Sequence, residues 1–508
     1  MALSRRRFLQ VTGASAMAWP VAARAQTTSH NAFAHGVASG DPLPDAVMIW
    51  TRVSPRAGTD PRAVVVRWRV TTDGPRPTVV RSGTVTTSDQ RDFTVKVDVR
   101  GLQPGRTYTY GFDAEGQTSV IGRTRTLPAA PSRARLAAVS CANFEGGYFN
   151  VYAALAARTD LDAILHLGDY IYEFRAGYYG DPRLGRTPDP LHEAITLQDY
   201  RRRYAGYRLD PDLQEVHRVH PFIAVWDDHE LADNAWSGGA LGHDPALREG
   251  NWGIRRAAAA TAYREWLPVR DVPGEAFRLY RSFRLGQLAT IAMLDTRSAR
   301  SVQVESTDTA GLARASRRML GIAQEQWLYN TIKTGAQEGV VWSLIGQQVM
   351  FSPLTPPGRF VQMPDSWDGY QAERGRVRDF FASTKNCVLL GGDMHSSWAF
   401  DVPPNPWSGY TPDTGAGSVA VEFITPAISS AGYFTEAQIR TLVPGLIASL
   451  PHLKYLEGST RGYLLLDLTR ERLQASFHYV SDLTRRSRVE RAGPSFIVTA
   501  GTSRLVRA

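Results

Sequence analysis

Cysteine is scarce in this sequence, with only Cys141 and Cys387 among 508 residues. Two thiols cannot make a disulfide-stapled scaffold, and a chain of this length buries enough apolar surface to do without one. No uninterrupted apolar run reaches the ~18 residues of a membrane-spanning helix, so no stable membrane anchor is expected. The chain also lacks an internal repeat, a low-complexity segment and a coiled-coil heptad. It contains no Gly-x-Ser-x-Gly elbow, no Gly-x-x-x-x-Gly-Lys loop and no Rossmann glycine pattern, which leaves serine-hydrolase, nucleotide-motor and dehydrogenase readings without support. Acid is in modest deficit, 49 Asp+Glu against 58 Lys+Arg for a net charge of +9. Four of the excess charges, Arg5, Arg6, Arg7 and Arg24, sit in the first 25 residues. The rest are scattered, and the one other triple, Arg201-Arg202-Arg203, reads as the solvated face of a helix. A nucleic-acid binder would mass basic residues with interleaved aromatics, so no dedicated nucleic-acid binding is expected.

What is present is the composition of an ordinary globular protein, 43% hydrophobic and 21% charged. It begins with Ser4-Arg5-Arg6-Arg7-Phe8-Leu9-Gln10, a short apolar stretch to Val21, and Ala23-Arg24-Ala25. A basic region, a modest apolar region and an Ala-x-Ala site resemble a twin-arginine export signal over residues 1–25. That signal implies a mature start near Gln26, the twin-arginine machinery as a partner, and a periplasmic or secreted location.

From about His35 to Thr126, short β-rich runs alternate with turn signals. Val47–Thr51, Val64–Val70, Thr94–Val97 and Tyr108–Phe112 have the period-two pattern of half-buried strands. Leu102-Gln103-Pro104-Gly105 leading into Tyr108 and Tyr110 looks like the tyrosine corner of immunoglobulin-like and fibronectin-type domains. Residues 30–127 are therefore expected to form a small all-β sandwich, with Leu127–Ser132 as a linker. Beyond it the pattern changes to α/β. Leu136–Ser140, Ala163–Leu167, Phe222–Trp226, Ala289–Leu294, Val340–Ile345 and Cys387–Leu390 are near-continuous apolar runs, which implies strands buried on both faces. Arg255–Trp266 and Gln324–Lys333 have helical spacing. Residues 134–508 are expected to form one catalytic domain. Phe174–Pro190 and Phe351–Asp368 are long irregular loops of the kind that wall a site.

The residues that follow the buried strands carry the chemistry. Leu136–Ser140 ends in Cys141-Ala142-Asn143, and Ala163–Leu167 in Gly168-Asp169-Tyr170-Ile171-Tyr172-Glu173. Phe222–Trp226 ends in Asp227-Asp228-His229-Glu230, and Cys387–Leu390 in Gly391-Gly392-Asp393-Met394-His395. Ligands bind at the carboxyl ends of strands in α/β sheets, so four such loops can converge. They offer thiolate, carboxylate, phenolate and imidazole donors. Taken singly, the Asp-Asp-His-Glu run reads equally as a turn or helix cap, Tyr172 as core and Cys141 as a small buried hydrophobe. Their coincidence at strand ends makes them a metal-site inventory. Cys, Asp and Tyr are each anionic when bound and suit ferric iron, whereas Asp228 and Asp393 suit a hard divalent ion such as Ca²⁺, Mg²⁺ or Mn²⁺. Two metals about 3.5–4 Å apart can bind a phosphoryl oxygen and activate a water. His229, next to a ligand, is placed to protonate a leaving oxygen. Cys387 reads as core, and a bridge between the two cysteines is not favoured.

These blocks resemble the PhoD-like alkaline phosphatase/phosphodiesterase family, within the calcineurin-like metallophosphoesterase superfamily. His35-Gly36-Val37-Ala38-Ser39-Gly40-Asp41-Pro42 and Ile49-Trp50-Thr51-Arg52 match its N-terminal part. Trp226–Glu230, Asp365-Ser366-Trp367-Asp368-Gly369-Tyr370 and Gly392-Asp393-Met394-His395 match its catalytic part. The resemblance implies a two-sheet sandwich flanked by helices, preceded by the small β domain. It also implies one iron held by Cys141, Asp169, Tyr172 and His395, with Asp169 bridging to one or two calcium ions on Asp228 and Asp393. Other divalent metals are an alternative. The superfamily's usual Asp-x-His and Asn-His read here as Cys141-x-Asn143 and Asp228-His229, which fits the PhoD-like branch and argues against simple zinc or manganese loading. The superfamily's penultimate histidine block has no evident counterpart, and Gln347-Gln348 stands nearest.

The function so implied is an exported, monomeric hydrolase of small phosphomonoesters or phosphodiesters acting through a metal-activated hydroxide, with His229 and Asp228 as catalytic residues. Substrate contacts are expected from Asn143, Arg297, Trp367 and Tyr370, although Arg297 reads equally as an ion-pair partner of Asp295. A phospholipase D-like diesterase is the enzymatic rival. A non-catalytic wall- or matrix-binding protein is the rival of another class.

Overall fold

Strand Cys387–Gly391 shows how the apolar runs are used: Val388 and Leu390 enter one core while Cys387 and Leu389 enter a second on the opposite face. Burial on both faces is what a near-continuous apolar strand requires. The computed structural model describes residues 30–275 and 277–508, so the export signal expected over residues 1–25 lies outside the described residues.

Two mixed sheets make the catalytic body. The first has ten strands in the order Val506–Arg507, Glu490–Thr499, Arg472–Val480, Arg461–Thr469, Arg133–Val139, Ala163–His166, Pro221–Ala224, Val37–Gly40, Ala46–Arg52 and Thr94–Arg100. The second has seven, in the order Arg281–Leu285, Ala289–Met293, Trp342–Gly346, Cys387–Gly391, Ala420–Ile424, Ser397–Val402 and Leu453–Glu457. Each has a parallel centre, and the two share the largest core, where Leu136 and Leu165 meet Ile291, Leu344 and Phe423. Helices cover the outer faces. Asn150–Ala156, Leu197–Arg208, Pro211–Val219 and Trp252–Trp266 bring Tyr152, Tyr204, Val216 and Tyr263 to the first sheet, and Gly321–Gln337 and Gln371–Ala382 bring Leu328 and Phe381 to the second. Thr196 and Asp199 form a reciprocal cap that starts one of these helices, and Asp210 with Pro211 starts the next. Among the described residues no helix is long and apolar enough to cross a membrane.

The strands of the N-terminal part are divided between two sheets. Val64–Thr72, Val79–Thr87, Thr107–Ala114, Gln117–Thr118 and Gly122–Arg125 form a third, five-stranded sheet. The strands it packs against, Val37–Gly40, Ala46–Arg52 and Thr94–Arg100, belong to the ten-stranded sheet of the catalytic body. Val37–Gly40 joins that sheet in parallel with Pro221–Ala224, pairing Ser39 with Pro221 and Gly40 with Phe222. Gly40 permits the approach, because a Cβ there would lie 2.6 Å from the Pro268 carbonyl oxygen and 2.7 Å from that of Phe222. In the corner between strands, the Tyr108 hydroxyl accepts the Gln103 N–H at 2.9 Å.

Candidate metal centre

The loops that follow four parallel strands meet at one end of the two-sheet body. Four of the expected ligands are held there in the left-handed backbone region: Cys141 at φ 63°, Asp169 at φ 55°, Asp393 at φ 59° and His395 at φ 47°. Only eleven described non-glycine residues adopt positive φ, so this concentration marks a site whose backbone is shaped for its side chains. Gly168 keeps two of the loops in contact, since a Cβ on it would stand 2.4 Å from that of Asp227. Glu230, fully buried, ties the same loops together by accepting the backbone N–H groups of Asp169 (3.0 Å), Tyr170 (2.6 Å) and Asp227 (2.8 Å).

The donors fall into three overlapping groups. Ligand atoms of Cys141, Asp169 and His395 lie within 4.8 Å of one another, as do those of Asp169, Asp228 and His229, and those of Asp227, Asp228 and Asp393. Tyr172 belongs with the first, its hydroxyl donating to Asp169 Oδ2 at 3.0 Å and lying 3.1 Å from His395 Nε2. Asp169 Oδ1 and Asp228 Oδ1 are buried without a hydrogen-bond partner. Burial pushes the Asp169 carboxyl well above its usual range, reinforced by Asp227 and Asp228. Burial does the same to the Cys141 thiol and the Tyr172 hydroxyl, each opposed further by the charge of Asp169. Buried groups whose anions are so disfavoured, with carboxylate oxygens left unpaired, fit bound cations: the metal supplies the charge that stabilises them.

Asp228 is held below the usual carboxylate range despite its burial, because Arg297 and His229 face it. His229 goes the opposite way: burial alone would lower it, but Asp228, Glu173 and Asp169 raise it well above the ordinary imidazole value. Its Nδ1 lies 2.8 Å from Glu173 Oε2, and its ring stacks on Tyr172 at 4.2 Å. That contact fixes the ring and turns Nε2 away from the carboxylate.

Three likenesses bear on this arrangement. The family model described as PhoD-like phosphatase matches residues 136–477, and the model of that family's N-terminal domain matches residues 17–128. The chain is 34% identical over 484 residues to alkaline phosphatase D of Bacillus subtilis (strain 168), covering 92% of this chain and 80% of the relative. The chain belongs to the PhoD-like phosphatase family. A solved structure of PhoD superposes with a TM-score of 0.84 at 32% identity, covering 95% of this chain and 93% of that one. The protein is accordingly a phosphoesterase of mixed α/β fold built on several sheets.

Within this PhoD-like chain the expected substrate contacts are used differently. Asn143 spends its amide on backbone, accepting the Glu145 N–H at 3.0 Å and donating to the Tyr179 carbonyl oxygen, so it shapes a loop. Trp367 and Tyr370 do not wall a pocket. They are 1% and 0% exposed in the second core, with the indole donating to Gln347 Oε1 at 3.1 Å and the Tyr370 hydroxyl to the Ser301 carbonyl oxygen at 2.8 Å. Arg297 takes the ion-pair alternative, but with other partners than Asp295. Its fully buried guanidinium binds Asp227 and, at 2.9 and 3.1 Å, Asp365, and faces Asp393 at 3.5 Å and Asp228 at 3.6 Å. Gln348 is a strut, accepting from Thr296 N at 2.8 Å and donating to the Leu294 carbonyl oxygen at 2.9 Å.

Sequence reasoning missed several contributors. Arg203, expected on a solvated helix face, is 1% exposed. Its guanidinium binds the carbonyl oxygens of Tyr172, Phe174, Pro190 and His192 and so fixes the loop that carries Tyr172. A fifth loop follows strand Ala420–Ile424, where Ser430 Oγ donates to the Tyr172 hydroxyl at 2.7 Å and the Ala431 carbonyl oxygen lies 2.8 Å from His395 Nδ1. The signal for that loop was the strand-like stretch Val419–Ile424 before Thr425-Pro426-Ala427, and Glu422 in its middle breaks the apolar run that marks the other strands.

Proposed function

We propose that this phosphoesterase is metal-dependent, with ferric iron on Cys141, Asp169, Tyr172 and His395 and calcium on Asp228 and Asp393, Asp169 being shared between them. The observation that supports this most is the overlap of the donor groups, the first two linked through Asp169 and the last two through Asp228, together with a buried oxygen on each of those residues that no hydrogen bond satisfies. Such ions supply Lewis-acid polarisation of a phosphoryl oxygen and a nucleophile at neutral pH. The remaining steps belong to the chain. His229, its Nδ1 engaged by Glu173, presents Nε2 to the leaving oxygen and donates a proton there. Arg297, already bound to Asp227 and Asp365, keeps the acidic loops at fixed separation instead of clamping substrate. Burial of Tyr172, Asp169 and His395 excludes bulk water and strengthens each of these interactions.

The substrates in this reading are small organic phosphomonoesters or phosphodiesters. The chain acts as a monomer, exported by the twin-arginine machinery to a periplasmic or extracellular space. Residues 30–127 serve as a fibronectin-like sandwich whose inner strands continue into the catalytic sheet. Metal analysis of the purified mature protein, run with turnover of a phosphomonoester and a phosphodiester with and without added calcium, tests the reading. Iron in near-stoichiometric amount and calcium-stimulated turnover are expected. Iron-free protein that is fully active without calcium would overturn the metal assignment, and inertness toward both esters would overturn the substrate assignment.

A further inference from the structure

An unbroken arc of aromatic rings joins the two imidazoles of the site to the surface. Phe174 stands edge-on to His229 with ring centroids 4.9 Å apart, and Tyr179 follows at 6.0 Å from Phe174. Tyr179 leads on to His395 at 6.1 Å, and Tyr433 stacks on His395 at 5.6 Å with the rings only 7° from parallel. Tyr178 branches from Phe174 at 4.8 Å. The inner members are buried or half-buried, but Tyr178 is 43% and Tyr433 41% exposed. Large aromatics left in the open beside a polar, buried centre are unusual, because their burial is among the most favourable available to a chain.

Their position relative to the chemistry gives them a use. His229 is the group that protonates the leaving oxygen in the reading above, so the leaving alcohol departs along the side where Phe174 and Tyr178 stand. Past the phosphate, what that alcohol carries meets the Phe174 and Tyr178 rings. The Arg175 guanidinium, 5.4 Å from the Tyr178 ring, adds a planar cation on the same rim. Aromatic faces flanked by a guanidinium are the platform on which planar bases and aryl groups stack.

We infer that Phe174 and Tyr178, on the His229 side of the metal centre, form a leaving-group subsite for esters whose alcohol bears a planar ring, such as a nucleobase or aryl group. The inference rests on the phosphoesterase reading and on the role of His229, and it adds the substrate class. Adenosine and ribose locked as its furanoside (methyl β-D-ribofuranoside) isolate the contribution of the base, because they share the furanose 5-hydroxyl of the leaving alcohol, differ at C1 by base against methoxy, and bind without reacting. Calorimetry on the metal-loaded protein is expected to show adenosine binding at least about tenfold more tightly than the furanoside. Tyr178→Ala should weaken adenosine about tenfold, within the range found when a stacking aromatic is truncated, and Tyr178→Phe should restore it because the ring face is kept. A purely structural role for these rings would not separate adenosine from the furanoside. Equal affinities for the two alcohols, or adenosine binding indifferent to Tyr178→Ala, would overturn the subsite. Phosphate release from adenosine 5′-monophosphate and ribose 5-phosphate, measured in parallel, reports on the parent reading. Turnover of neither ester refutes that reading whatever the binding data show, and turnover of both with a ratio unmoved in Tyr178→Ala refutes the subsite alone.

Discussion

Arg297 shows how far single residues could be understood from the sequence and where that stopped. Its neighbourhood, Asp295-Thr296-Arg297 at a strand end, marks it as close to the site, but its partners lie 68, 70 and 96 residues away. No local pattern encodes which carboxylates a guanidinium will meet across three loops. Cys141, Asp169, Asp228 and Asp393 were legible for the opposite reason: each falls within three residues of the end of a recognisable apolar run, so strand topology delivers it. The physical consequence of the Arg297 network is testable. A fully buried guanidinium facing four carboxyl groups neutralises the acidic half of the site, and removing it leaves Asp227 buried without its cation, while Asp365 keeps Arg300. Breaking one partner of a buried pair costs about 3–5 kcal/mol. Arg297→Met, studied by denaturant unfolding of chelated protein so that no added cation compensates, is expected to lose stability in that range. Arg297→Lys keeps the charge without the planar fork and should recover only part of it. A chelated Arg297→Met protein as stable as wild type would show that the network contributes nothing net.

At the scale of elements, the site is the product of parallel strands ending at one edge, and the loops work only at a fixed separation. That separation is set by close backbone contact between the loop after Ala163–His166 and the loop after Pro221–Ala224, with Glu230 bonded across it. Gly168 stands at the contact with φ 116°. Gly168→Ala therefore meets two obstacles, a backbone conformation closed to L residues and a Cβ 2.6 Å from the Asp227 backbone nitrogen. Relief requires the Asp169 and Asp228 loops to move apart, and a displacement near 1 Å can remove about a hundredfold in rate. Steady-state kinetics on Gly168→Ala should show a kcat/KM loss of that order with unchanged far-UV circular dichroism. A variant within a few-fold of wild type would mean the two loops are not rigidly coupled. Element boundaries in the body were mostly legible, because burial on both faces writes an apolar run into the chain. The strands after residue 397 were not. Arg461–Thr469 and Arg472–Val480 alternate buried with partly exposed residues, a weaker signal than a continuous run. The fifth site loop went unseen with them.

For the whole molecule, the question is whether the N-terminal segment is a separable domain, as its all-β pattern suggests. The third sheet shares a core with strands Val37–Gly40, Ala46–Arg52 and Thr94–Arg100, but these three complete the catalytic sheet, and a sequence pattern cannot show which sheet an edge strand will join. The seam is also buried. Trp50 lies in the main core with its indole donating to the Glu265 carbonyl oxygen at 2.7 Å, and its ring is 5.7 Å from that of Trp266. Asp41, fully buried, accepts from Arg281 at 2.6 and 2.9 Å and from the Arg270 backbone N–H at 2.7 Å. A chain starting at residue 134 would lose all of this. Strand Pro221–Ala224, whose following loop carries Asp227, Asp228 and His229, would become an open apolar edge, the arrangement most prone to aggregate. Arg281 would keep its place in the second sheet with its carboxylate partner Asp41 gone. Residues 134–508 produced alone are thus expected to be insoluble, or soluble without a cooperative unfolding transition and without esterase activity, whereas residues 30–508 unfold as one unit. Two separate transitions in the longer protein, or a soluble and active 134–508, would show that the shared sheet is dispensable and that the boundary drawn from the sequence at residue 127 is also the boundary of folding.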